Sequence, residues 1–181
     1  ARTKGGDPAI YYYRRFEQER YWTPWEKVEL DISGDQLLAF VRNNRLCLAW
    51  PMYTEEPDPN QKATIPPATA NTQVNIDKPK RKLKIQLASS ELANNKWQPK
   101  KVSKEGILTP SNYTTDELPK DIYNMLYFEL GEQVWFFSTS LDIDEYQQIN
   151  GIFNLTGCKG YPELVFQGSQ NFPDFFPDFK D

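Results

Sequence analysis

The sequence predicts an all-β fold of antiparallel hairpins, closing as a β-sandwich or as a partial propeller-like sheet. Three observations carry that prediction. Runs of β-branched and aromatic residues alternate with polar ones at a period near two. Fourteen prolines, with many Asn, Thr and Ser, punctuate the chain at short intervals, which suits short strands joined by turns. The hydrophobic fraction is 39% and aromatics supply much of it, at 14% of all residues, with no long amphipathic run of helix formers. A chain of 181 residues is long enough to bury one sizeable core, and one domain is the better expectation than two.

Residues 1–9 are polar and Gly-rich and read as a disordered leader to a single β domain over residues 10–170. Ile10 to Phe16 is a β-branched and aromatic run, Glu17 to Arg20 a polar turn, and Trp22 to Ile32 an alternating return strand. Together they form a first hairpin, followed by a turn at Ser33-Gly34-Asp35. Leu37 to Val41 and Arg45 to Trp50 flank Asn43-Asn44, a pair that tolerates positive φ and closes tight hairpins. Residues 54–82 are rich in Pro, Asn, Thr and Ala and read as a long loop or insertion. Leu83 to Ala88 and Trp97 to Val102, around Asn94-Asn95, make a third hairpin; Met125 to Leu130 and Gln133 to Thr139, around Gly131-Glu132, make a fourth. Further strands are expected at Ile149 to Thr156 and Glu163 to Phe166, with a helical turn at Asp142 to Gln148. Residues 171–181 form an aromatic, Pro-rich tail with Phe-Pro-Asp-Phe twice.

The first and third hairpins share a pattern. Trp22-Thr23-Pro24 precedes Lys27-Val28, and Trp97-Gln98-Pro99 precedes Lys101-Val102, with spacing that differs by one residue. Proline fixes φ where its missing N–H does no harm, and the indole covers an apolar face.

Composition removes several function classes. There is no histidine, so Ser-His and Cys-His nucleophile pairs and imidazole metal sites are absent. Cys47 lies in an apolar run and reads as a buried free thiol, a disulfide with Cys158 being the alternative. Residues 54–104 carry 10 Lys or Arg against 5 Asp or Glu, and residues 105–181 carry 3 against 13. Such halves face each other, present opposite faces to partners, or are ordinary solvated surfaces, and the net charge of −4 argues against nucleic-acid binding. No stretch reaches the roughly 20 apolar residues of a membrane helix. No signal peptide is evident and the first residue is Ala1, so the chain reads as a processed or excised segment.

Tyr11-Tyr12-Tyr13-Arg14-Arg15-Phe16, Trp22-Thr23-Pro24-Trp25-Glu26-Lys27-Val28, Asp31-Ile32, Asn43-Asn44-Arg45-Leu46 and Trp50-Pro51 resemble the neuraminidase-like region of TcA. TcA is the large subunit of bacterial Tc (ABC-type) insecticidal toxin complexes. The resemblance covers residues 10–103 and departs at Arg42 and Ala49-Trp50, where an aromatic residue and a Phe-Trp pair are expected, and at the long 54–82 segment. It implies a non-catalytic β domain of a secreted toxin subunit, contributing to shell assembly and to host-surface or glycan contact. Partners would be other domains or protomers of the assembly. A free-standing carbohydrate-binding module is the alternative, with a sialidase-like hydrolase further behind.

The residues themselves name a candidate binding set. Tyr11, Tyr13, Trp22, Trp25 and Trp97 could stack against sugar rings, and core packing is the competing role for each. Trp22 and Trp25, three apart in an extended segment, are expected on opposite faces, one more exposed than the other. No catalytic residue, metal or cofactor is expected. An Asp-box laid on Ser90 to Trp97 puts Leu92 at the Asp and Asn94 at the Gly position. Glu26, Glu29, Asp31 and Asp35 read as a solvated strand face in preference to a hydrolytic pair, and Asp142, Asp144 and Glu145 as an acidic turn in preference to a calcium loop.

Overall fold

The computed structural model describes residues 1–3, 9–57, 80–109, 122–141, 147–156 and 160–171. Antiparallel strands carry nearly all of their regular structure. Residues 10–32 form a ribbon in two pieces: β1 (Tyr12–Tyr13) pairs with β4 (Glu26–Lys27), and β2 (Phe16–Glu17) with β3 (Tyr21–Trp22). The main sheet orders β5 (Leu38–Arg42), β6 (Arg45–Pro57) and β7 (Arg81–Ala93). Along the far edge of β7 run β8 (Lys96–Trp97), β9 (Lys101–Val102) and β10 (Ile107–Leu108). The second sheet is a meander of β11 (Tyr123–Leu130), β12 (Gln133–Leu141), β13 (Gln147–Thr156) and β14 (Glu163–Asn171).

The turns follow from their residues. Asn43 and Asn44 take φ of 47° and 56°, and Asn94 and Asn95 take 52° and 58°, the doubly positive pattern of hairpin turns whose twist matches the strands. Gly131 sits at φ 59° in the two-residue connection between β11 and β12.

Burial sets the layers. On β6, Cys47 and Ala49 face the second sheet, while Leu48 and Trp50 face the ribbon. A strand covered on both faces cannot alternate with polar residues, which is why Leu46 to Trp50 reads as an unbroken apolar run. Leu83, Ile85 and Leu87 of β7 meet Phe136 of β12 and Phe153 of β13 between the sheets, each aliphatic side chain stabilising the fold by roughly 1.5–3 kcal/mol. The sheets close tightly at Gly151, where an added Cβ would collide with Ile107. Arg42, where the family resemblance expects an aromatic residue, is buried and donates Nη1–H to the Leu155 carbonyl at 2.8 Å. It ties β5 to β13 by a charged hydrogen bond, which an aromatic ring could not do. Cys47 is buried as a thiol, 3.7 Å from the Arg45 carbonyl; Cys158 lies outside the described residues.

The arrangement is a sandwich of two sheets with the ribbon on the outer face of the first. It differs from expectation where charge substitutes for hydrophobicity. The β6–β7 ladder continues to Pro57↔Arg81, so both ends of the 54–82 segment are strand and only residues 58–79 lie outside the described residues. Ion pairs hold this extension, Arg81 to Glu55 and Lys84 to Glu56, as cross-strand opposite charges do. Gln147 and Gln148, expected in a helical turn, open β13; residues 142–146 lie outside the described residues, as do 4–8 of the leader and 172–181 of the tail. Residues 1–3 lie against the ribbon, with Thr3 N–H donating to the Ile10 carbonyl and Tyr12 N–H to the Ala1 carbonyl, both at 2.8 Å.

Candidate ligand-binding site

The ribbon and the β7–β9 hairpin are built on one register. In the ribbon, Tyr13↔Glu26 and Phe16↔Trp22 bracket two residues, Arg14 and Arg15, on one side and three, Thr23, Pro24 and Trp25, on the other. In the second hairpin, Ser89↔Lys101 and Leu92↔Trp97 bracket Ser90 and Glu91 against Gln98, Pro99 and Lys100. Each return strand therefore carries one extra residue, a bulge placed where proline cannot donate to the ladder. Equivalent hydrogen bonds hold each bulge: Thr23 N–H to the Arg15 carbonyl at 2.8 Å, and Gln98 N–H to the Glu91 carbonyl at 2.9 Å.

The bulge decides which side chains meet. Side chains on a strand alternate between faces, so Tyr11 and Tyr13 turn inward while Arg14 and Phe16 share the outer face. Trp22, paired with Phe16, shares that face. Without the bulge Trp25 would point the other way; the extra residue returns it to the same side. Trp22 and Trp25 are 53% and 52% exposed, and the Arg14 guanidinium carbon stands 4.3 Å and 4.7 Å from their ring centroids. The expectation of opposite faces fails for this reason. Phe16 packs on Trp22 at 5.0 Å, and Phe16 and Tyr21 are also half exposed. The outcome is an aromatic platform around one cation, and a guanidinium over an indole is attracted by roughly 0.5–1 kcal/mol at exposed sites.

The other three members of the sequence-derived set are inside. Tyr11 is 7% exposed and its hydroxyl donates to the Gly34 carbonyl at 3.2 Å. Tyr13 donates its hydroxyl to Glu26 Oε2 at 2.7 Å and meets Trp97 edge-on at 5.6 Å. Burial, then the bond to Glu26, pushes the Tyr13 phenol up to about 12. Trp97 packs against the cluster of Val28, Ile32 and Trp50. Arg14 was missed by the sequence reading. The alternation Tyr12, Arg14, Phe16 was the signal that put it on the outer face.

The carboxylates weighed for hydrolysis do not converge. Glu26 accepts from Tyr13, Asp31 pairs with Lys100 at 2.9 Å, and Asp35 pairs with Arg2 at 2.6 Å. Leu92, at the Asp position of the Asp-box, stands across from Trp97 in the β7–β8 ladder. A small cavity lined by Arg42, Cys47, Ser89, Ser90, Glu91 and Lys101 lies where the bulge between β8 and β9 faces β7, with a volume of about 10 Å³, room for a single water. Among the described residues no three His, Cys, Asp or Glu side chains gather as a metal site, and no helix is long and apolar enough to cross a membrane.

A family model described as Neuraminidase-like domain matches residues 1–131. The match takes in the ribbon, the whole main sheet and the first strand of the second, ending in the β11–β12 turn. No curated protein and no solved structure matches the chain.

Proposed function

The chain belongs to the neuraminidase-like domain family, and from that premise we propose that it is a non-catalytic binding domain of a secreted, TcA-like insecticidal toxin subunit. In this reading the sandwich is a rigid shell element of a larger assembly. Its outward contact, with a host surface or glycan, is made by the ribbon.

The observation that supports the reading is the exposure of Trp22 and Trp25 on a backbone fixed by two ladders and a bulge. Large rings left half in solvent lose apolar burial, so their position calls for a partner. Indole faces held rigidly fit the flat apolar face of a sugar ring, and such anchors lose little conformational freedom on binding. The dispersal of Glu26, Asp31 and Asp35 onto separate structural partners speaks for binding over hydrolysis.

A glycan array probed with the intact chain, and with Trp22→Ala and Trp25→Ala, tests the contact role. Defined binding that both variants lose, with unfolding midpoints unchanged, is the expected result. Turnover of a fluorogenic sialoside by the purified chain would overturn the non-catalytic assignment.

A further inference from the structure

We propose that Arg14, held between Trp22 and Trp25, is an anion-recognition site, and that its ligand is a sugar bearing a carboxylate or sulfate group. The proposal rests on the platform being a sugar-contact surface and adds the charge that surface selects.

The first ground is the lack of an internal partner. Arg2, Arg15, Arg45 and Arg81 each face a carboxylate, and Arg42 faces a backbone carbonyl. Arg20 and Arg14 have no ion pair among the described residues, and of these two only Arg14 is held over indole rings. Arg14, on an exposed stretch of the ribbon, faces no carboxylate among the described residues. Its contacts are two ring centroids at 4.3 Å and 4.7 Å. Its neighbour Arg15 faces Glu17 and Glu26, each at 3.7 Å, so those two carboxylates of the ribbon are engaged by Arg15 and not by Arg14.

The second ground is geometry. A guanidinium stacked on aromatic rings spends its faces on them and keeps its in-plane N–H fork for another group. That fork matches the two oxygens of a carboxylate or sulfate, which it can hold with two parallel hydrogen bonds. An arginine normally loses side-chain freedom on making such bonds. Here the indoles have already pinned it, so less is lost when an anion arrives.

The third ground is the setting, which favours a sugar over an acidic peptide. Peptide and protein partners concentrate their binding energy in desolvated pockets. The platform stands on the open face of a two-stranded ribbon, and the cavity beside the bulge between β8 and β9 is lined by other residues. A pyranose needs only one indole face for stacking, and a charged substituent on it would reach Arg14 from either Trp22 or Trp25.

The test titrates the intact chain with sialyllactose, sulfated lactose and neutral lactose, followed by calorimetry. At least one anionic sugar should bind about tenfold or more tightly than lactose, and its identity distinguishes carboxylate from sulfate. Arg14→Gln should erase that preference while lactose binding persists, and Arg14→Lys, which keeps the charge without the planar fork, should restore only part of it. Trp22→Ala and Trp25→Ala should weaken all three sugars. Equal affinity for the three sugars would overturn the anion assignment and leave the sugar-contact reading standing. Silence from all three, or an Arg14-dependent response to an acidic Phe-Asp peptide alone, would overturn both.

Discussion

The ribbon and the β7–β9 hairpin are two copies of one local design with opposite fates. Each closes on residues at positive φ, Gln18 and Glu19 at 53° in one and Asn94 and Asn95 at 52° and 58° in the other. Each pairs its first Trp with an apolar residue across the ladder, and each inserts a bulge at Trp-x-Pro. Yet Trp97 lies against Tyr13 and the Trp50 cluster, while Trp22 is 53% exposed. Local sequence sets the turn and the bulge. What lies over the hairpin decides whether its indole is core or contact surface. The first hairpin is itself the cover for the second, and nothing in the described residues covers the first.

The largest test of that contrast is Trp97→Ala. Removing a ring packed between the ribbon and the main sheet should cost about 3 kcal/mol, read as a lowered urea midpoint at unchanged slope. Tyr13 couples the two hairpins, and its phenol is raised to about 12 from 10.0. The folded state therefore holds that proton more tightly than the unfolded chain does. Its stabilising effect is complete below pH 10 and fades as pH climbs toward 12. Tyr13→Phe should flatten that part of the fall in urea midpoint between those pH values. A smaller gain is expected from giving the ribbon the turn chemistry its twin approaches: Gln18→Asn with Glu19→Gly should add about 1 kcal/mol, because ordinary side chains resist positive φ. Smallest of all, Trp22→Ala or Trp25→Ala should move stability by no more than about 0.5 kcal/mol. A loss from either as large as that from Trp97→Ala would erase the distinction.

Much of this was legible in the sequence because local rules decide it. Asn43-Asn44, Asn94-Asn95 and Gly131-Glu132 marked their turns, and the run Arg45 to Trp50 marked a hairpin strand, whose burial on both faces the structure adds. The resemblance carried by residues 10–103 agrees with a family match over residues 1–131. What escaped was set by register and by distant charges. Thr54 to Pro57 looked like loop because its strand partner, and the cations Arg81 and Lys84, lie beyond residue 79. Trp22 and Trp25 were read by simple alternation, which the bulge at Pro24 resets. Arg14 resembled any charge on a strand, since nothing in its own neighbourhood announces two indoles arriving from the return strand.

The most direct measurement is the reactivity of the tryptophans in the folded chain. Brief oxidation with N-bromosuccinimide, with the modified peptides located by mass spectrometry, ranks the indoles by access to solvent. Trp22 and Trp25 should react first, with Trp97 and Trp50 protected until the protein unfolds. Trp97 reacting alongside Trp22 would contradict the division between a structural hairpin and a contact-making one.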